Sequence, residues 1–498
     1  MAENNAVLMR RELLTRLSEL FYRGELENGV DRIPLELRPR SFVNVSRCCV
    51  YKDRAMLRYK IMALLGFNIR DEQDELTPLS RYVEMARRRT GLSKEPLTVV
   101  DDVCSACVRV NYVVTNMCRG CMARPCTTSC NKWAISFDNG QARIAHERCV
   151  NCGLCMKNCP FHAIVYIPVP CEESCPVGAI GKREDGTEEI DYSKCIYCGR
   201  CISSCPFGAV MEKSHLMDVF NAFGSGRRVV AMVAPAIAGQ FRAPLGQILG
   251  AVKALGFTDV VEVARGADVT STHEAEEFIH KMSQGQKFMT TSCCPSYRVA
   301  VEKHIPQLKP YVSDTLTPMQ YTAQIAREMY PDAALVFIGP CLAKRQETTL
   351  DPNADLMLSF EELQAMMEGK GVDIAACEPV VVDASIDHTS RGYPVSNGVM
   401  NAVNSHVAGR VEIRPVVISG IDKAVMRDMK NLPESCTGNM VEVMACPGGC
   451  VNGCNVIANP KVARTQVIEA ARPGAGAFAA AGVAAKGGNS GNSGGARQ

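Results

Sequence analysis

The chain has 498 residues, 47% of them hydrophobic, a length that as a prior divides into about three or four domains with sizeable cores. Lysine plus arginine (55) nearly balances aspartate plus glutamate (53), which leaves no basic surplus for nucleic acid and no charged tail for an electrostatic partner. No apolar run approaches the roughly 18 residues of a membrane span, and MAENNAVLMRRELL lacks the apolar core and cleavage site of an export signal. The anomaly is cysteine: there are 26, most in short repeated spacings. In a long chain with no export signal that pattern implies metal ligation rather than disulfides, and a reducing cytoplasm as the compartment.

Residues 1–100 are charged and helical in period. LMRRELLTRLSELFYRG and YKDRAMLRYKIMALLG carry apolar residues at three- and four-residue steps, and a connector, RIPLELRPR, separates them. Cys48 and Cys49 stand just before the second helix, and the segment reads as a helical packing domain. Residues 101–215 are dense in Cys, Pro and Gly. From 226 to 460 apolar strands alternate with amphipathic helices: RVVAMVAPA, VVEVA, KFMTTS, ALVFIGP, VEIRPVVISG and VEVMACPGG read as strands of a mostly parallel α/β domain. Residues 473–498 are Gly/Ala/Ser-rich and predict a disordered tail.

Within 101–215 three runs stand out. Cys149, Cys152, Cys155 and Cys159 form C-x2-C-x2-C-x3-C-P; Cys195, Cys198, Cys201 and Cys205 repeat it; Cys118, Cys121, Cys126 and Cys130 give a looser copy. This is the bacterial ferredoxin signature, in which three close cysteines hold one [4Fe-4S] cube and the fourth reaches its neighbour. Crossover pairs Cys118, Cys121 and Cys126 with Cys159; Cys149, Cys152 and Cys155 with Cys130; and Cys195, Cys198 and Cys201 with Cys175. Cys104, Cys107, Cys171 and Cys205 remain as a fourth set by subtraction. At Cys104 and Cys107 a zinc site stays open as an alternative, and Cys48 and Cys49 could intrude on the set. A file of four such clusters would carry single electrons from a surface to a buried centre.

Four further cysteines follow predicted strands: Cys294 after KFMTTS, Cys341 after ALVFIGP, and Cys446 and Cys450 in ACPGGC. Strand ends of an open α/β sheet converge on a crevice where ligands bind, and four cysteines there could hold one more cube. TSCCPSY, PCLAKRQE and MACPGGCVNG resemble the three signature motifs of [FeFe] hydrogenases, in order and behind a ferredoxin-like region. The resemblance covers about 104–455, and its details look more like the divergent group B enzymes.

The resemblance implies an α/β catalytic domain of two lobes around the active-site cluster, preceded by α+β ferredoxin-like domains and the N-terminal helical domain. It implies reversible reduction of protons to H2 at an H-cluster, a [4Fe-4S] cube joined to a di-iron unit carrying CO, cyanide and a dithiolate amine. Carried over, Cys294, Cys341, Cys446 and Cys450 hold the cube, with Cys450 the bridge. Cys293 matches a proton-relay thiol; taken alone, without the flanking motif, it reads as a small buried hydrophobe. Glu274, Ser313 and Glu277 match the groups that pass protons to the surface, and i,i+3 glutamates share a helix face. Lys344 matches a lysine that hydrogen-bonds cyanide, and Met444 and Pro235 match residues beside the di-iron unit. Implied partners are a ferredoxin or flavodoxin-type carrier, H2 and protons, and hydrogenase maturation proteins. Departures fall at Gly339 for a methionine, Ala236 for a serine, Ser296-Tyr297 for Gly-Trp and Cys454 for a glycine. Cys377, Cys436 and Cys454 read as buried structural thiols. Relatives in iron–sulfur assembly, hydrogen sensors and plain electron-transfer polyferredoxins are the competing classes.

Overall fold

The computed structural model describes residues 4–104, 107 and 111–473; the expected tail, from 474 onward, lies outside the described residues. Near the N-terminus, Asn5–Tyr22 forms a helix that buries Leu13, Leu14 and Leu17, with the Asn4 side chain accepting from the Val7 amide at 3.0 Å. Val50–Leu64 and Leu79–Arg88 are the other long helices of this region. RIPLELRPR is more than a connector: Ile33–Leu37 is helical, with Pro34 in the first turn, where its missing amide costs nothing. The first helix does not stand apart from the rest. It lies along the helix Phe360–Lys370, close enough that a Cβ on Gly369 would sit 2.6 Å from the Glu19 amide nitrogen. Phe21 stacks on Phe220 with ring centroids 3.7 Å apart.

Two ferredoxin-like modules follow. The first joins an antiparallel ribbon, Tyr112–Val114 with Ile164–Tyr166, to a hairpin of Ile135–Asp138 and Gln141–Ile144. The second contains the hairpin Ile180–Lys182 with Glu188–Ile190. Leu97–Val99 pairs antiparallel with Val210–Glu212, so this strand, placed by sequence in the helical domain, belongs with the second module.

The remaining chain builds two parallel sheets. One runs in the order Asp259–Glu262, Val229–Val233, Ala334–Gly339, Leu356–Ser359; the other runs Met289–Thr290, Met440–Met444, Pro415–Ser419. Val229–Val233, Ala334–Gly339 and Met440–Met444 are buried along their whole length, as central parallel strands are. Pro415–Ser419 alternates in exposure and begins with proline, the pattern of an edge. The sequence reading began this strand at VEIR, which is not a strand, and it missed Leu356–Ser359, a four-residue segment flanked by helices.

One buried ionic knot fastens these parts together. The fully buried Arg345 bonds Glu212 (Nε to Oε2, 3.0 Å) on the last strand of the second module and Glu362 (Nη2 to Oε2, 2.7 Å) on the helix that meets the N-terminal helix. Arg10 of that N-terminal helix reaches Glu361 at 2.6 Å. Breaking a buried pair leaves an uncompensated charge, so Arg345→Met should lower unfolding stability by roughly 3–5 kcal/mol. Thermal unfolding of variant and wild type checks this; an unchanged midpoint would contradict the role.

Candidate active site and its cluster wire

The cysteines of the two modules meet in four groups. Cys118, Cys121, Cys126 and Cys159 line one cavity of the first module, and Cys130, Cys149, Cys152 and Cys155 line a second. In the second module Cys201 is buried against Cys198, Cys195 and Cys175. Cys171 is buried against Cys205, Cys104 and Cys107. These are the same four sets that crossover and subtraction gave. The last cysteine of each repeat accepts an amide from the alanine four residues on: Ala134 to Cys130 (3.3 Å), Ala163 to Cys159 (3.4 Å), Ala179 to Cys175 (3.1 Å) and Ala209 to Cys205 (3.3 Å). Cys175 therefore closes the same turn as the complete repeats. Burial pushes the thiols up, Cys104 and Cys195 to about 11 and Cys198 to about 12, with neighbouring sulfurs adding to the rise. Sulfurs crowded in this way ionise only against positive metal. Among the described residues no three Cys, His, Asp or Glu side chains converge as one metal ion would need. Cys48 and Cys49 lie at the surface, outside all four sets, with Cys49 at the N-cap of Val50–Leu64.

The largest concentration of candidate residues surrounds a cavity of about 100 Å³ between the two parallel sheets. Pro235 follows Val229–Val233, Cys341 follows Ala334–Gly339, Cys294 follows Met289–Thr290, and Cys446 follows Met440–Met444, so four strand ends feed it. Cys294 and Cys341 are N-caps of the helices Pro295–His304 and Leu342–Leu350, where the helix dipole favours a thiolate. Cys450 completes the four sulfurs, brought round by Gly448 and Gly449 at φ +82° and +101°. A Cβ at Gly449 would lie 2.3 Å from the Pro394 carbonyl oxygen, so only glycine closes this loop. Lys344 and Met444 also line the cavity. So does Cys198 of the second module, which puts one wall of the cluster wire in contact with this site.

Cys293 shares the cavity with Cys294, and burial, then Glu274, holds its thiol protonated far above the usual range. Glu274 is fully buried on the helix Ala264–Ser283; its Oε1 accepts from the Ser292 amide (2.8 Å) and Ser292 hydroxyl (3.0 Å), and Oε2 has no partner. Burial raises its carboxyl to about 7, with the Ser292 bonds opposing the rise. One turn on, burial also works to raise Glu277, but hydrogen bonds from Lys281 (2.6 Å) and Ser313 (2.5 Å) outweigh it and hold that carboxyl low. Ser313 gives its proton to Glu277 and accepts from the Thr315 amide at 3.2 Å. Cys293 thus lines the cavity, Glu274 is buried against the neighbouring Ser292, and Ser313 is bonded to Glu277.

Residues 227–454 match the family model for the iron only hydrogenase large subunit, C-terminal domain, behind matches to an LdpA Fe-S cluster-binding domain (165–216) and a 4Fe-4S binding domain (142–165). The chain carries an iron-only hydrogenase large-subunit domain. The NADP-reducing hydrogenase subunit HndD of Solidesulfovibrio fructosivorans is 26% identical over 68% of this chain and 64% of its own length. Iron hydrogenase 1 of Clostridium pasteurianum is 26% identical over 49% and 52%. The cytosolic Fe-S cluster assembly factor NAR1 of Eremothecium gossypii is 24% identical over 42% and 60%. The chain therefore spans about half to two thirds of these relatives. A solved [FeFe]-hydrogenase HydA1 from Chlamydomonas reinhardtii overlaps 52% of this chain and 89% of its own at 19% identity, with a TM-score of 0.43.

The hydrogenase domain's own residues account for several of the departures noted above. Gly339 is a glycine because a Cβ would fall 2.6 Å from the Phe337 ring, which itself lines the cavity. Tyr297 is fully buried and its hydroxyl bonds Thr290 Oγ1 at 2.8 Å, so an aromatic is kept with a local partner. Cys454 is not a plain core thiol: it lines the cavity, and its sulfur touches Gly199, next to Cys198. Cys377 is half-buried, whereas Cys436 is buried as expected. Two residues escaped the sequence reading. Glu347 pairs with Lys344 at 2.6 Å and so fixes that cation at the cavity wall; its spacing of three on a helix was the available signal. Tyr393 lines the cavity and bonds Ser271 Oγ at 2.7 Å, and nothing in RGYPVS marked it.

Glu274 supplies a pH test. An unfolded glutamate ionises near 4.5 and the folded one near 7. Between those values the unfolded chain gives up a proton that the folded chain keeps, so stability falls as pH rises. Glu274→Gln should remove this slope, changing the pH 5–7 stability difference by about 2 kcal/mol. Denaturant titrations across that range read it; parallel curves for the two proteins would refute it.

Proposed function

We propose that the chain reversibly converts protons and electrons into H2, as a group B-type [FeFe] hydrogenase with four accessory [4Fe-4S] clusters. The observation that carries this reading is the pairing of two roles at one point: Cys294 joins Cys341, Cys446 and Cys450 around the cavity, while adjacent Cys293 would head a file through Glu274 and Ser313 to Glu277. The donor set fits the group the family implies. Four buried thiols on strand-end loops would hold the cube, with Cys450 bridging to the di-iron unit, and Pro235, Lys344 and Met444 would border that unit. When bound, the group would supply the centre at which protons and electrons combine.

The chain's own residues would do the rest. Lys344, steadied by Glu347, would place a fixed positive charge beside an anionic ligand. Cys293 would pass a proton between the cavity and Glu274, and Glu274, poised near neutrality, would exchange it through Ser313 with Glu277. Phe337, Met444 and Ala236 would keep water from the reacting atoms. Electrons would enter through the cysteine sets of the two modules and reach the cavity at Cys198. A cytoplasmic ferredoxin or flavodoxin-type carrier would supply them, and maturation proteins would build the di-iron unit. Likeness to a cluster assembly factor favours a second reading, a cluster-bearing protein without turnover.

An anaerobic infrared spectrum of protein matured with the hydrogenase machinery, with viologen-driven H2 assayed on the same sample, separates the two. CO and cyanide bands, about 22 iron atoms per chain and H2 are expected; cubane iron alone would leave the assembly reading. Cys293→Ala should keep the bands and cut turnover at least about 100-fold, and turnover near wild type would remove the thiol from the file. Cys104→Ala with Cys171→Ala should cost about four iron atoms, and unchanged iron would break the fourth set.

A further inference from the structure

We infer that the tip of the first ferredoxin-like module is the docking surface for a small acidic one-electron carrier, and that electrons enter at the Cys118, Cys121, Cys126 and Cys159 set. The inference rests on the proposed electron-transfer role, and it assigns the entry point that role leaves open.

The order of the sets follows from contacts. Cys198 lines the active cavity, so the set containing Cys175 is innermost. It shares the repeats Cys171/Cys175 and Cys201/Cys205 with the fourth set. The ribbon of the first module runs from Tyr112 and Tyr166 at one end to Val114 and Ile164 at the other. Tyr112 lines the Cys130, Cys149, Cys152, Cys155 cavity, and the Tyr166 hydroxyl bonds Glu173, which lies between Cys171 and Cys175. That end therefore faces the second module. Val114 and Ile164 line the Cys118 cavity, which leaves this set at the far tip.

The tip has the composition of an interface core. Met122, next to Cys121, is 99% exposed, Met117 56% and Phe161 42%. Methionine, aromatics and arginine are what such cores enrich, and an exposed apolar patch on this scale marks a contact site. Its cations are unspent. Arg119 lines the cluster cavity, Arg124 lies over Phe137 at 4.1 Å, and Lys157 is two residues from Cys159. None of the three has an ion-pair partner among the described residues, whereas Arg143 is paired with Asp138 at 2.9 Å. Residues 111–167 hold six lysines and arginines against Asp138 and Glu147, a surplus of four positive charges, while the whole chain carries +2. A basic ring around an apolar patch steers and seats an acidic partner.

The test uses the full, cluster-loaded chain under anaerobic conditions with a bacterial two-[4Fe-4S] ferredoxin as probe. Binding is measured by calorimetry at low and high salt, and carbodiimide cross-links are mapped by mass spectrometry. Lys157→Glu should raise Kd several-fold at low salt, with iron content and viologen-driven turnover unchanged. Met122→Glu, at a position too exposed to disturb the fold, should weaken binding several-fold by itself. Cross-links in wild type should fall on Lys157. Unchanged affinity in both variants, or cross-links confined to the catalytic part, would overturn the assignment. So would concentration-dependent self-association of the free chain through Met122, which would make the occupant a second copy. Viologen-driven H2 without ferredoxin binding would sink this inference and leave the proposed function standing. Ferredoxin binding lost in Met122→Glu, in a chain that makes no H2, would do the reverse.

Discussion

Burying sulfur that must carry charge is the constraint from which the rest of this structure follows. Sixteen cysteines of the two modules and four of the catalytic part sit in groups, and at Cys171, Cys201 and Cys446 burial, then neighbouring charge that includes other sulfurs, pushes the thiol up. Without positive metal between them, such groups would be neutral thiols lining cavities. The backbone is arranged for the charged form instead: amides from Ala134, Ala163, Ala179 and Ala209 point at sulfur, and Cys294 and Cys341 occupy helix N-termini. Folding and cluster assembly are on this account one process.

The ionic knot around Arg345 serves the same end at longer range. Cys198 and Cys341 belong to different modules, and electron transfer between the groups they hold is acutely sensitive to their separation. Arg345 follows Cys341 by one helical turn and grips Glu212, whose strand follows Cys205. Cys454 fills the remaining space between the loops, with its sulfur against Gly199. A buried ion pair is a costly way to add stability, but it has a single satisfied geometry, and a fixed distance is what a wire requires. The N-terminal helix, bonded through Arg10 to Glu361 beside Glu362, extends that rigidity outward.

The parts legible in the sequence were those where chemistry dictates spacing. A cube demands C-x2-C-x2-C, and crossover then pairs the repeats, so even the half-repeat Cys171/Cys175 could be assigned from its sequence. Central parallel strands were legible because burial on both faces writes a continuous apolar run, as in VVAMV and ALVFIG. Where burial is one-sided or brief the reading failed: LMLS was too short to see, and VEIR, though bonded to Asn439 through Arg414 and Glu412, does not form a strand. The ion pair of Lys344 with Glu347, the bond of Tyr393 to Ser271 and the clash that makes Gly339 a glycine arise between elements or within one crowded turn. No periodicity records them.

The two glutamates of the proposed proton file show how one helix face can hold opposite acids. Glu274 and Glu277 are three residues apart, yet one titrates near 7 and the other below its usual range. The difference is in what each meets. Glu274 is sealed against Ser292 and has one oxygen unpartnered, so burial dominates. Glu277 meets Lys281, Ser313, Thr315 and the Asp314 amide at the protein's edge, and these outweigh its burial. Between two such acids a proton passes downhill from Glu277 to Glu274, and the reverse step, outward, is the one that must be lifted. Under the proposed function, Glu274, with a carboxyl near 7, would be able both to take and to give a proton at neutral pH.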